Sequence, residues 1–295
     1  MPLEFRGIGK VVVDAKNAYD WYETLGFDLT GTRLEKIRHY LEYKLLNIAT
    51  PEGAAWENGT ADEDAYYAVS DGAGFGLIAE DMAKLPSHRL PRGPLKDILQ
   101  GPLASSDETP HNSDARNKFV ELEMAAHCAR AGFRLLGFDD LTFEFEGREY
   151  HVECKRPFGA NALERNLHKA YAQLRRKLQR DDSRGIIAIA VEKVFNLDQG
   201  FQRVRSESHL SEVGLMVADA FRTKIGRLEG NWVDTRVVGV VAIIRFLVKI
   251  EGSNAAGFSY NFALGIRALP GVQMAEWGGL NRMVRQLNAG FRVQP

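Results

Sequence analysis

The residues best suited to chemistry in this 295-residue chain lie in one stretch, an acid pair Asp139-Asp140 separated by twelve residues from the triplet Glu153-Cys154-Lys155. Two carboxylates can share one hard divalent cation through their oxygens. Hydrolysis of a phosphodiester calls for that arrangement, because charge must be stabilised on the non-bridging oxygens and a water activated near neutral pH. A lysine beside the acids can orient that water, help to deprotonate it and offset developing negative charge. A Glu-x-Lys alone is ordinarily a solvated strand face, so the case rests on the elements that position it.

Those elements read as a hairpin. Leu141, Phe143 and Phe145 alternate with Thr142, Glu144 and Glu146, and Tyr150, Val152 and Cys154 alternate with His151, Glu153 and Lys155, the period of two strands. Gly147 and Arg148 suit the tight connection between them. That turn pairs residues whose numbers sum to 295, so Lys155 is expected opposite Asp140 and Glu153 opposite Thr142. All four then share the polar side, with directly opposed Cβ atoms about 5 Å apart and the diagonal carboxylates about 7 Å apart.

Helical spacing over Asn117 to Ala131 predicts a helix before the hairpin. Leu163, Leu167, Ala170, Tyr171, Leu174 and Leu178 predict another after it, and GIIAIAV, from Gly185 to Val191, reads as a buried strand. A helix around Leu210, Val213, Val217 and Phe221, strands at Val237 to Ile250 and near Tyr260 to Ile266, and a C-terminal helix complete the chain. The alternation indicates a mixed α/β sheet flanked by helices.

The stretch DLTFEFEGREYHVECKRP, with the helices on either side, resembles the core of the PD-(D/E)xK nuclease superfamily over residues 115 to 193. That resemblance implies a restriction-endonuclease-like fold: a helix, a three-strand meander, a helix and a further strand around an Asp, a Glu-x-Lys triplet and a helix Glu. By it, Asp140 and Glu153 hold Mg²⁺ or Mn²⁺, the Cys154 carbonyl is a further ligand, and Lys155 is the catalytic lysine. Glu121, in FVELEMAAHCARAGF, corresponds to the helix Glu, and Gln173 resembles a polar residue that some members direct towards the site. The Pro of the family's name is missing from Phe138-Asp139-Asp140, which leaves Asp139 as the alternative to Asp140, and Glu123 is the alternative to Glu121. The implied activity is endonucleolytic and metal-dependent, on DNA before RNA, in a restriction or defence setting. The alternative is a module on the same fold that binds nucleic acid or protein without cutting.

The formal net charge of -1 conceals an uneven distribution. Residues 148 to 180 hold 9 Lys/Arg against 3 Asp/Glu, whereas residues 1 to 103 hold 11 against 16. Arg156, Arg165, Lys169, Arg176 and Lys177 are therefore expected to contact phosphates, joined by Gln173, which the resemblance places towards the nucleic acid. Residues 1 to 103 read as a mainly helical region with Leu34, Ile37, Leu41, Leu45 and Ile48 on one helix face, and with loops at residues 51 to 60 and 85 to 95. This region is a candidate surface for a second copy or another protein, and residues 104 to 114 form a polar linker before a domain at 115 to 295.

Asp71-Gly-Ala-Gly-Phe-Gly lacks a leading strand and the third glycine of a dinucleotide fingerprint, and reads as a turn. Two cysteines, Cys128 and Cys154, make neither a disulfide framework nor a zinc site. The longest apolar run is interrupted by Arg245 and Lys249 and is too short to span a bilayer, so no membrane partner is expected. A cytoplasmic address is the expectation, since no export signal is recognisable at the N-terminus.

Overall fold

The computed structural model describes residues 4–60, 63–103, 107, 113–138, 141–178, 182–226, 234–252, 256–264 and 274–289. Within these, helices cover both faces of one mixed sheet. Its strands are β1 (Glu4–Gly7), β2 (Arg134–Gly137), β3 (Thr142–Phe145), β4 (Arg148–Lys155), β5 (Arg184–Ala190), β6 (Phe201–Val204), β7 (Val237–Ile250) and β8 (Ala256–Leu264). They lie in the order β1-β8-β7-β5-β4-β3-β2, with β6 also paired to β7 beyond the reach of β5. The meander β2-β3-β4 is antiparallel, β4, β5 and β7 run parallel, and β8 and β1 close the other edge antiparallel.

The α-helices are α1 (Ile8–Thr24), α2 (Arg33–His39), α3 (Pro51–Glu57), α4 (Glu63–Met82), α5 (Arg92–Asp97), α6 (Asp114–Arg130), α7 (Leu163–Lys177), α8 (Glu207–Ile225) and α9 (Met274–Ala289). Strand alternation divides the core. Ile186, Ala188 and Ala190 of β5 join a cluster with α1, α4, α6 and α9, whereas Ile187 and Ile189 join α7 and α8 on the opposite face. β7 is buried along nearly its whole length because strands on both sides and helices on both faces leave it no wet face. No helix among the described residues is long and apolar enough to cross a membrane.

The hairpin turn falls one residue earlier than the sequence reading placed it. Glu146 (φ 51°) and Gly147 (φ 75°) are the two central residues, both left-handed, as a tight turn matched to strand twist requires. Arg148 already belongs to β4, where it pairs with Phe145. Left-handed backbone disfavours a glutamate, and the Glu146 carboxylate is held by Arg282 of α9 at 2.7 and 2.8 Å. Paired residues therefore sum to 293 rather than 295: Thr142 faces His151, not Glu153. The shift of two preserves parity, so Thr142, His151, Glu153 and Lys155 still belong to one side of the ribbon.

Three other readings are corrected. Asp71-Gly-Ala-Gly-Phe-Gly is the buried middle of α4, not a turn. A Cβ on Gly74 would lie 2.6 Å from Phe119 Cζ and one on Gly76 2.4 Å from Asp14 Cβ, so these glycines let α6 and α1 approach closely. Residues 51 to 57 are helical rather than loop: Pro51 occupies the first turn and the Thr50 hydroxyl accepts from Gly53 N at 3.1 Å. Ile48 does not continue the Leu34–Leu45 stripe but is 70% exposed, because the chain turns after the π-helical segment Tyr40–Leu45. The short strands β1, β2 and β6 were invisible to period counting. β1 places Glu4–Gly7 at the edge of the central sheet, and helices of the first hundred residues share a hydrophobic cluster with β4, β5 and α6. Of the expected linker, residues 107, 113 and 114 are described.

Candidate active site

β4 carries its even residues Tyr150, Val152 and Cys154 into the core on the α6 side and its odd residues towards α7. Glu153 is thereby buried at 6% exposure, an expensive place for a carboxylate without partners. Two ammonium groups supply them. Lys155 Nζ lies 2.5 Å from Glu153 Oε1, and Lys177 Nζ lies 2.8 Å from Glu153 Oε2.

Lys177 arrives through helix periodicity. Leu163, Leu167, Ala170, Tyr171 and Leu174 bury the face of α7 that packs on β4 and β5, and Lys177, three residues beyond Leu174, flanks that stripe. Gln173 stands one turn before Lys177 on the same flank, and its Oε1 is buried with no hydrogen-bond donor among the described residues. A buried orphan acceptor and a buried carboxylate already surrounded by positive charge are oxygen donors of the kind a hard divalent cation takes. These residues fit such an ion in chemical type, with Glu153 as its carboxylate and Gln173 as a neutral oxygen.

Glu121 is half-buried on α6 and paired with Lys118 at 2.7 Å. Burial first, then the charges of Glu121 and Glu153, push the Cys154 thiol well above its usual range, so both acids lie within electrostatic reach of that sulfur. Asp140 and its alternative Asp139 lie outside the described residues. Among those described, no three His, Cys, Asp or Glu side chains come together as a ligand set. The Asp140–Glu153 pair therefore has only its second member in view.

The residues expected to contact phosphates divide. Arg165, Lys169 and Arg176 are exposed on α7. Lys177 instead turns to Glu153. Arg156 is 5% exposed and faces Glu192 at 3.5 Å, so it is not an open phosphate contact; the chain after β4 enters the protein there rather than leaving it. His151 Nε2 meets Glu149 at 2.8 Å.

Sequence reasoning missed a buried charge network behind this site. Arg245, in the middle of β7, donates to Glu192 Oε1 at 2.6 Å and to Glu123 Oε2 at 3.0 Å. Burial pushes Glu123 up to about 7, against the pull of Arg245 and helped by the charges of Asp71 and Glu192. Glu192 is equally buried, yet Arg245 and Arg156 together hold it below the usual carboxylate range. One guanidinium shared by two acids keeps ionised the acid that has a second guanidinium. Glu123 is thus a partner of Arg245 inside the core, and Glu121 is the α6 acid nearer Cys154. The available signal was Arg245 itself: a charge within a fourteen-residue apolar strand requires buried partners.

No protein-family model, no curated protein and no solved structure matches the chain.

Proposed function

We propose that the chain is a divalent-metal-dependent nuclease of the PD-(D/E)xK type, hydrolysing phosphodiester bonds in DNA before RNA. The observation that carries the proposal is the buried Glu153 carboxylate beside Lys155 on β4. It stands within the order α6-β2-β3-β4-α7-β5 that the resemblance implies. The missing strand of the meander, β2, supports the same restriction-endonuclease-like reading. Glu153 and Asp140, with the Cys154 carbonyl, would hold Mg²⁺ or Mn²⁺, which supplies charge for the phosphoryl oxygens and acidifies the attacking water. Lys155 orients that water and receives the developing charge. Glu121 assists from α6, and the exposed basic residues of α7 bind the backbone of the nucleic acid.

Plasmid DNA and a structured RNA, each incubated with Mg²⁺, Mn²⁺ or EDTA, test the proposal. Cleavage is expected with either metal, lost in EDTA and reduced at least about 100-fold in Lys155→Ala and in Asp140→Ala. Undiminished wild-type-like cleavage in both variants overturns the assigned site.

One observation favours a second reading. Both oxygens of Glu153 are engaged by lysines, which suits a module that keeps the sheet but binds nucleic acid without cutting. Salt-sensitive DNA binding with no Mn²⁺ uptake by calorimetry, in the presence of oligonucleotide, would select it.

A further inference from the structure

Beyond Lys155 the chain runs through Arg156 and Pro157 to Phe158, which is 51% exposed. Three residues of chain keep Phe158 within about 11 Å of Lys155, Cα to Cα. An aromatic ring half in water gives up part of the burial that packing would provide. Its surroundings are ordered by charge. Arg156 Cζ lies 5.6 Å and Lys193 Nζ 5.8 Å from the Phe158 ring centroid. The same two cations lie 5.8 and 5.9 Å from the ring of Tyr67, which is buried and donates its hydroxyl to Asp198 at 3.1 Å. Glu192 at 3.5 Å from Arg156 and Glu63 at 3.7 Å from Lys193 fix the two cations from the other side. An open aromatic face whose ring is braced by two cations, a few residues from a candidate phosphodiester-cleaving lysine, is the chemistry that stacks a nucleobase.

We infer that Phe158, with Arg156 and Lys193, is a stacking platform for an unpaired base and thus directs single-stranded nucleic acid to the Glu153–Lys155 site; this rests on the nuclease reading given above. A base within a duplex must give up its pairing and stacking to reach the ring, whereas a single strand meets the platform without that cost. Arg156, buried and held by Glu192, braces the ring from within, and Lys193, the less buried of the two with its side chain 16% exposed, is the cation that a phosphate meets beside it.

The test uses full-length protein in EDTA, so that binding is read without cleavage. Fluorescein-labelled dT12, the corresponding 12-base-pair duplex, and a dT12 whose central four bases are removed are titrated by anisotropy. Wild type, Phe158→Ala, Phe158→Leu and Phe158→Trp are compared, with circular dichroism checking that each is folded. Base–aromatic stacking predicts that Ala and Leu weaken dT12 binding about 10-fold or more while duplex binding changes less than about 3-fold. Trp is expected to retain dT12 affinity and to lose emission as dT12 saturates it. Removing the bases should weaken wild-type binding but not that of Phe158→Ala. The inference is overturned by dT12 affinity that survives both Ala and Leu, by equal losses on duplex and single strand, or by Trp emission indifferent to dT12. If wild type binds none of the three ligands at low salt, either in EDTA or with Ca²⁺ in its place, the nuclease reading falls and takes the platform with it; binding with no role for Phe158 removes the platform alone.

Discussion

Replacing Glu123 by glutamine isolates the most perturbed acid of the buried network. In the folded chain burial raises this carboxyl from 4.5 to about 7. Between those values the folded state holds a proton that the unfolded state has released, so stability must fall as pH rises through this window. A shift of that size, at about 1.4 kcal/mol for each pH unit, corresponds to about 3 kcal/mol, present in full below 4.5 and gone above 7. The glutamine amide oxygen still accepts from Arg245, as Glu123 Oε2 does at 3.0 Å, but it does not titrate. Urea unfolding of both proteins from pH 4.5 to 8.5 gives the stability difference at each pH. Subtraction also removes the contribution of His127, whose neutral form burial favours and which acts in the opposite direction as pH falls. The variant is expected to gain on wild type as pH rises, by about 3 kcal/mol in total, and to level off above pH 7. A difference that stays flat across that range, or that grows as pH falls, would show that Arg245 keeps Glu123 ionised and would refute the burial argument.

Arg245→Leu leaves Glu123 and Glu192 buried without their shared guanidinium and should cost about 3–5 kcal/mol in urea unfolding at pH 7.5. Adding Glu123→Gln and Glu192→Gln should restore part of the loss. Gly76→Ala sets a Cβ 2.4 Å from Asp14 Cβ, with the Asp14 backbone directly behind it, so no rotamer change relieves the clash; a loss of about 1–3 kcal/mol is expected despite the better helix propensity of alanine. Lys177→Met releases Glu153 Oε2 and should tighten Mn²⁺ binding measured by calorimetry, whereas unchanged affinity would mean that a cation does not use that oxygen.

The sequence carried long-period information well. β7 was legible end to end because fourteen consecutive strand residues, nearly all buried, leave no competing pattern, and α7 because its apolar residues recur for four turns. β2 and β6, each of four residues, offer too few alternations to count. The glycines of α4 misled because local propensity favours a turn there, whereas the close approach of α1 and α6, set by residues far away in the chain, decides for helix. At the site, parity survived while register did not. Both follow from one turn, since moving it by one residue changes every pair by two positions and keeps each side chain on its own face. Lys177 shows the limit most plainly: composition marks it as one of several basic residues, and only the tilt of α7 over β4 selects it, rather than Arg176, for Glu153.

That selection alters how the site must work if it is a nuclease. Glu153 already has compensation in two ammonium groups, so a divalent cation enters by exchange rather than by addition, and at least one lysine must leave. An ammonium expelled from a buried carboxylate needs a new counter-charge, because an unpaired cation in a partly desolvated cleft is costly. In a nuclease a backbone phosphate would supply that charge, and the exposed Arg165, Lys169 and Arg176 of α7 would draw a polyanion to the helix that carries Lys177. In a nuclease, metal and nucleic acid would thus be coupled through the lysines: each would lower the cost of admitting the other, and by linkage the gain would be mutual. Free protein should hold Mg²⁺ weakly, and the cation and substrate should assemble on it together.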